Sequence, residues 1–421
     1  MKVLWITYVA FPEALELLSG IKQQKKGSGG WLYGAAQSLL DNCEVELRIA
    51  TVARSIPNYS VLQGERIKYH MIPFGKGFDV YHHGYDSYWM EITEEFKPDV
   101  VHIHGVESTL GLSYIRACGN KNVVVSIQGL TNIIARYYYS GLTNSDINKN
   151  ITIGDIIRRK TLYQYRADFE RKGLDEINTL KEVNHVIGRT NWDKDHVLAV
   201  NRTLNYHFCN ETLRDEFYGH CWTYDNCTKH TIFLSAASAA FKGVHFVFKA
   251  MPLIARRYPD VEVRIAGSSN IFPQSFGARL HQTGYEHYLG FLIKSLGISN
   301  YIKFLGTLSA KEMRAEYMKT NVFICPSTIE NSSNSVAEAQ ILGVPLVASY
   351  VGGVPGMVID DRCGRLYRCE EYEMLASLVC HMFEESRLWD NSFVRQMAAD
   401  RHSKEKNAKI TYSIYKSIVQ Q

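Results

Sequence analysis

Residues 326–358 read PSTIENSSNSVAEAQILGVPLVASYVGGVPGMV. The apolar run before them, NVFICPS, predicts a strand ending at Cys325, and a polar loop follows that carries Glu330. A short helix is expected from about Ser335 until Gly343 and Pro345 stop it, and VPLVASY is strand again. Strand, helix and strand in close succession make a βαβ unit, with parallel strands and ligand loops at their carboxyl ends.

The same alternation extends in both directions. HTIFLSAAS, VEVRIAG and YIKFLG are strands of this second half, and KGVHFVFKAMPLIARRYP between the first two has helical apolar spacing. In the first half KVLWITYVA, EVELRIATVA, PDVVHIHG, NVVVSIQG and EVNHVIGRT predict strands, with turns expected at Gly105 and Gly129. Between about Asn144 and Gly173 the chain turns basic and aromatic, and IIRRKTLYQYRADFERKG reads as a helix. At 421 residues the chain exceeds one ordinary core. The expectation is an α/β protein of two Rossmann-like, doubly wound domains, 1–210 and 211–390. A helical tail, 391–421, should pack back on the first.

Apolar residues at 46% and charged residues at 21% belong to a folded globular protein. A net charge of +4 suits an anionic ligand and falls short of a nucleic-acid footprint, so no nucleic-acid partner is expected. The nine cysteines include no CxxC pair and several sit in apolar runs, which predicts reduced thiols in a cytoplasmic protein. His207, Cys209, His220, Cys221, Cys227 and His230 match no zinc spacing, and no metal is expected. The amino terminus reads as a first buried strand rather than a signal peptide. The uncharged stretch 339–359 is interrupted by two prolines and four glycines, so no membrane span is predicted.

Chemistry is expected first at Glu330 and Glu338. Ser335-x-x-Glu338 has the form of a capping box, which alone would justify the second glutamate. The backbone amides of Ser335 and Val336, at the start of a helix, favour a phosphate. A carboxylate beside phosphate must address something else, and sugar or ribose hydroxyls fit. Lys242, between a strand and a helix-opening glycine, could deliver an ammonium to a diphosphate. KKGSGG at 25–30 lets backbone approach a ligand, though Leu32 occupies the third glycine position of a dinucleotide fingerprint. His104 reads as a core histidine. The basic stretch 158–172 with RYYYSG at 136–141 reads equally as an acceptor surface and as a solvated face.

Glu330 and Glu338 with the loop and helix between them, GVPLVAS at 343–349 and Gly352-Gly353 resemble the family 4 retaining glycosyltransferases and their Glu-x7-Glu motif. PDVVHIHG, Lys242-Gly243, VRIAG and IKFLG follow the family's order. The resemblance implies the GT-B fold, two domains facing a central cleft. It also implies a retaining transfer of a hexose-type sugar from a nucleotide diphosphate donor to a glycan or lipid-linked acceptor, without cofactor or metal. Glu330 and Lys242 would be catalytic, with front-face attack the implied route. Glu338, Asn334, Ser335, Val336, Gly29, Gly30, Gln128 and Thr307 would bind the donor, Thr307 next to its base. Two positions depart from the pattern: Ala236-Ala237 stands where the family has an arginine, and Gln128 where many relatives have a histidine. Polysaccharide assembly, such as capsule, with peripheral contact at the inner membrane face, is the implied setting. An epimerase on the same fold and a non-catalytic nucleotide-binding protein are the alternatives.

Overall fold

The computed structural model describes residues 1–20, 30–54, 56–75, 80–237, 239–267 and 270–420. They form two compact units, each built on a mainly parallel sheet. The first comprises Met1–Ile133, Phe169–Asp215 and Arg401–Gln421, and the second Ile134–Asp168 and Glu216–Asp400.

The sheet of the first unit contains β1 (Lys2–Thr7), β2 (Glu46–Ala53), β3 (Ser60–Gln63), β4 (Lys68–Pro73), β5 (Val100–His104), β6 (Val123–Ser126), β7 (His185–Gly188) and β8 (Asn205–Phe208). Their order is β3-β4-β2-β1-β5-β6-β7-β8, parallel throughout except where β3 runs against β4. Strand order reverses between β1 and β5, the kind of place where α/β sheets open a crevice at their carboxyl edge. β5 and β6 are buried at every residue, as strands covered on both faces must be. Gly105 follows β5 at φ +96°, a turn for which glycine is suited.

The helix Lys404–Val419 closes this unit against the helix Gly30–Asn42. Tyr415 enters the core beside Trp5, Leu39 and Ile49. Its hydroxyl accepts from Trp5 Nε1 at 3.0 Å and bonds His102 Nδ1 at 2.5 Å. A buried phenol with two polar partners is thereby satisfied.

The second unit's sheet contains β9 (Thr231–Leu234), β10 (Glu262–Ala266), β11 (Ile302–Gly306), β12 (Val322–Cys325), β13 (Leu346–Ser349) and β14 (Arg365–Tyr367). All are parallel, in the order β11-β10-β9-β12-β13-β14, so the reversal falls between β9 and β12. TIFL, VFIC and LVAS are buried end to end. The helix Val244–Arg257 buries Val244, Val247, Met251 and Ile254 at helical spacing and packs on the helix Tyr372–Glu385.

Several bounds differ from expectation. Ile134–Asp168 belongs with the second unit, interrupting the expected 1–210 segment, and the chain returns to the first at Arg401. The tail is two helices, Ser392–Arg401 and Lys404–Val419. The basic helix is also broken: Ile153–Arg158 ends on Arg159 at φ +51°, and a new helix, Leu162–Glu182, begins after Thr161. Thr161 and Gln164 exchange side-chain-to-amide bonds of 2.9 and 3.3 Å, a start signal inside the apparently continuous pattern. Among the described residues no helix is long and apolar enough to cross a membrane.

Candidate active site

In the second unit the loops after β9 and β12 meet at the point of strand reversal. After β9 the chain makes a single turn, Ala240–Lys242, and Gly243 at φ +70° opens the next helix. A Cβ on Gly243 would lie 1.9 Å from the carbonyl oxygen of Pro326, so only glycine allows the two loops to touch. The Thr328 amide donates to the Phe241 carbonyl at 2.8 Å across the same seam.

The loop after β12 is clamped from its other side. Gly352, at φ +52°, passes so close that a Cβ would lie 1.8 Å from the carbonyl oxygen of Glu330. That carbonyl accepts the Gly353 amide at 3.0 Å, while the Ser349 hydroxyl, ending β13, donates to the Ser327 carbonyl. The glycine pair at 352–353 thus positions the backbone of Glu330.

Between these clamps Lys242 Nζ meets Glu330 Oε1 at 2.5 Å, and the Ser327 hydroxyl donates to the same oxygen at 2.7 Å. Burial works against the Lys242 ammonium, but the charge and hydrogen bond of Glu330 outweigh it and hold its pKa above the ordinary lysine value. Lys242 is therefore a permanent cation near neutrality. It can stabilise an anion and cannot act as a base.

The helix Asn334–Leu342 begins one residue before expectation, with Ser333 as its N-cap and no side-chain cap bond. The expected capping box from Ser335 to Glu338 is therefore absent: Ser335 lies within the helix, its carbonyl accepting from the Tyr317 hydroxyl at 3.1 Å, and Glu338 follows the first turn. Glu338 is 5% exposed. The Ala337 amide bonds back to Ser333 at 3.0 Å, so the amides of Asn334, Ser335 and Val336 precede the helical ladder. The Val336 side chain is fully buried, which leaves only its backbone to serve a ligand. Thr307 is exposed just past β11, on the same carboxyl edge of the sheet.

The remaining expected residues belong to the first unit. Gly29 lies outside the described residues. Gly30 is exposed at the start of its helix, and a Cβ there would meet only the Arg214 side chain at 3.8 Å, so packing does not demand glycine. Gln128 is half-buried just past β6 and lines a cavity of about 60 Å³ with His102, His104, Arg189 and Glu211. His102 is a core residue bonded to Tyr415 and Ser126. The His104 ring lies tilted against it with centroids 3.8 Å apart, yet its buried Nε2 has no partner among the described residues. Burial pushes the His104 pKa well down, leaving it neutral.

Sequence reading passed over Glu107, Arg189 and Glu211. Arg189 and Glu211 form a buried ion pair. Glu107 accepts the Gly129 amide at 2.8 Å through one oxygen, while its buried Oε2 has no partner among the described residues. Burial raises its pKa to about 7. Glu107 and Arg189 each follow a strand-ending glycine closely, in HGVE and GRT, the signal that drew attention to loops elsewhere. The chain's Asp-x-Asp, Asp193-Lys194-Asp195, is a helix start: Asp193 closes a capping box with Thr190 and is buried.

Known proteins resemble this chain in one sequence segment and in fold. Residues 225–394 match the family model described as Glycosyl transferases group 1. That segment contains Lys242, Glu330 and Glu338. D-inositol 3-phosphate glycosyltransferase of Corynebacterium urealyticum is 27% identical over 179 residues, 42% of this chain and 40% of that protein. The chain spans about two fifths of the length of the curated relatives it matches. Sucrose-phosphate synthase of Thermosynechococcus elongatus superposes with a TM-score of 0.71 at 13% identity, covering 99% of this chain and 98% of that one. Anabaena Alr3699/HepE in complex with UDP and glucose gives 0.64 at 14%, covering 99% and 100%. At such identities the likeness speaks to fold, and the fold is GT-B.

Proposed function

We propose that this chain is a retaining glycosyltransferase that moves a hexose-type sugar from a nucleotide diphosphate donor to a glycan or lipid-linked acceptor in polysaccharide assembly. The observation that carries the reading is the Lys242–Glu330 pair at the β9/β12 reversal, 2.5 Å between charged atoms, with Gly243 beside Lys242 and Gly352 from the loop after β13 fixing the backbones on either side. The group 1 segment around it supports the reading, as does a similar fold seen with UDP and glucose.

In this proposal the second unit holds the nucleotide. Glu338 accepts hydrogen bonds from the ribose hydroxyls, and the amides of Asn334, Ser335 and Val336 face the diphosphate. Cleavage of the bond between the anomeric carbon and phosphate oxygen develops negative charge on the leaving diphosphate. The Lys242 ammonium neutralises that charge without surrendering a proton. Glu330 supports the positive character at the sugar. The acceptor hydroxyl forms its new bond on the same face, and its proton passes to the departing phosphate oxygen, so configuration is retained. Thr307 lies next to the base.

Glu330→Gln keeps the side chain's size and removes its charge. Transfer, assayed with a panel of nucleotide sugars, should fall about 100-fold or more, while calorimetry still detects nucleotide binding. Wild-type turnover in that variant would refute the assignment.

A further inference from the structure

The helix Ile153–Arg158 is built inside out. Ile153, Ile156 and Ile157 have the spacing of one helical stripe, and that stripe faces solvent, with exposures of 71, 64 and 68%. The inward side is polar and small. Gly154 approaches the helix Phe276–His281 so closely that a Cβ would lie 2.2 Å from the Leu280 carbonyl oxygen. Asp155 is buried and accepts the Thr152 amide at 3.1 Å, and Arg158 donates to the Gln282 carbonyl at 3.1 Å. These contacts hold the apolar stripe outward. Phe276, on the helix packed against this one, is 77% exposed.

The surrounding charge is net positive. Residues 134–168 and 270–295 contain eight lysines and arginines and four carboxylates. Every one of those carboxylates is engaged: Asp146, Asp155 and Glu286 close the helix starts at Thr143, Thr152 and Thr283, and Asp168 pairs with Lys160. Arg159 and Arg279 are exposed next to the apolar residues and form no ion pair among the described residues.

From this arrangement we infer that the isoleucine stripe and Phe276, rimmed by Arg159 and Arg279, dock the second unit on an anionic lipid surface. The patch is a ridge of hydrocarbon with no hydrogen-bonding groups of its own and an excess of cations at its edge. A bilayer interface answers both halves of that chemistry: its headgroup–acyl boundary takes the side chains and its phosphates take the guanidinium groups. The inference is independent of the donor site, whose residues lie in other loops.

Sedimentation of the full chain with lipid vesicles tests it. Binding is expected to vesicles of mixed phosphatidylglycerol and phosphatidylcholine, weakening with salt, and not to phosphatidylcholine alone. I153S/I156S/I157S should lower vesicle affinity about tenfold or more. R159E/R279E, altering only exposed side chains, should do likewise and carries the test if the triple variant fails to fold. Leu388→Ser, at an unrelated residue 85% exposed, should change nothing. Nucleotide binding measured on the same variants should stay at the wild-type value, so a failure here is separable from a failure of the donor reading. Equal binding to both vesicle types, no binding, or unchanged binding by both variants would overturn the inference. So would sedimentation velocity showing a dimer that the isoleucine variant dissociates while neither protein binds vesicles.

Discussion

Glu330 and Glu107 are carboxylates in the loops after strands, and their surroundings set them apart. Glu330 shares a hydroxyl and an ammonium and stays matched to a cation. Glu107 has one oxygen on a backbone amide and the other sealed, so burial raises its pKa to about 7. A raised carboxyl pKa means that the folded state takes up a proton the unfolded state releases between about pH 4.5 and 7. This group therefore stabilises the fold at acid pH, and the contribution is lost as pH rises through about 7. Glu107→Gln removes that uptake. Between pH 7 and 5 the variant should lose stability more steeply than wild type, by about 2 kcal/mol in the difference, read from urea unfolding at each pH. Parallel curves would show that Glu107 titrates normally.

The loops that hold the site depend on two glycines distant in sequence from the groups they seat. Gly352→Ala must move either its own left-handed backbone or the Glu330 carbonyl, which a Cβ would approach to 1.8 Å. Destabilisation of about 1–3 kcal/mol is expected, with a larger fractional loss of transfer than of nucleotide binding because Glu330 is displaced. Thermal unfolding with paired activity and calorimetry checks this, and an unperturbed variant would remove the clamp from the account. Strands were legible because parallel sheets require continuous apolar runs, as in VVHIH, TIFL and VFIC. The short β3, with every second residue exposed, and the polar edge strand β8 offer no such run and were not read. The capping box at Ser335 fails for a related reason: the pattern is present, but the helix starts earlier, at Asn334 with Ser333 as its N-cap.

The first unit is closed by residues from the far end of the chain. Tyr415 bonds Trp5 and His102 in the core, and the carbonyl of Lys404 accepts the Ser38 hydroxyl at 2.9 Å. Tyr415→Phe keeps the ring and leaves the Trp5 and His102 groups without their shared partner, at an expected cost of about 1–3 kcal/mol in unfolding free energy. Deleting residues 404–421 should go further and leave the first unit unable to fold, since it uncovers Trp5, Leu39 and Ile49 together. Limited proteolysis would reveal that loss as rapid cleavage within residues 1–133, and a resistant first unit would contradict it.

Local pattern alone determined that the chain alternates strands and helices in two halves. It also placed Lys242, Glu330 and Glu338 in or just after strand-end loops, because apolar runs, helix stops and glycine positions are properties of short segments. It could not determine that Gly243 and Gly352 touch Pro326 and Glu330, that Ile134–Asp168 belongs with the second sheet, or that an isoleucine stripe points outward. Those depend on which backbones approach one another across long sequence separations. Such approaches are selected by the packing of the whole chain and leave no periodic trace in the residues that make them.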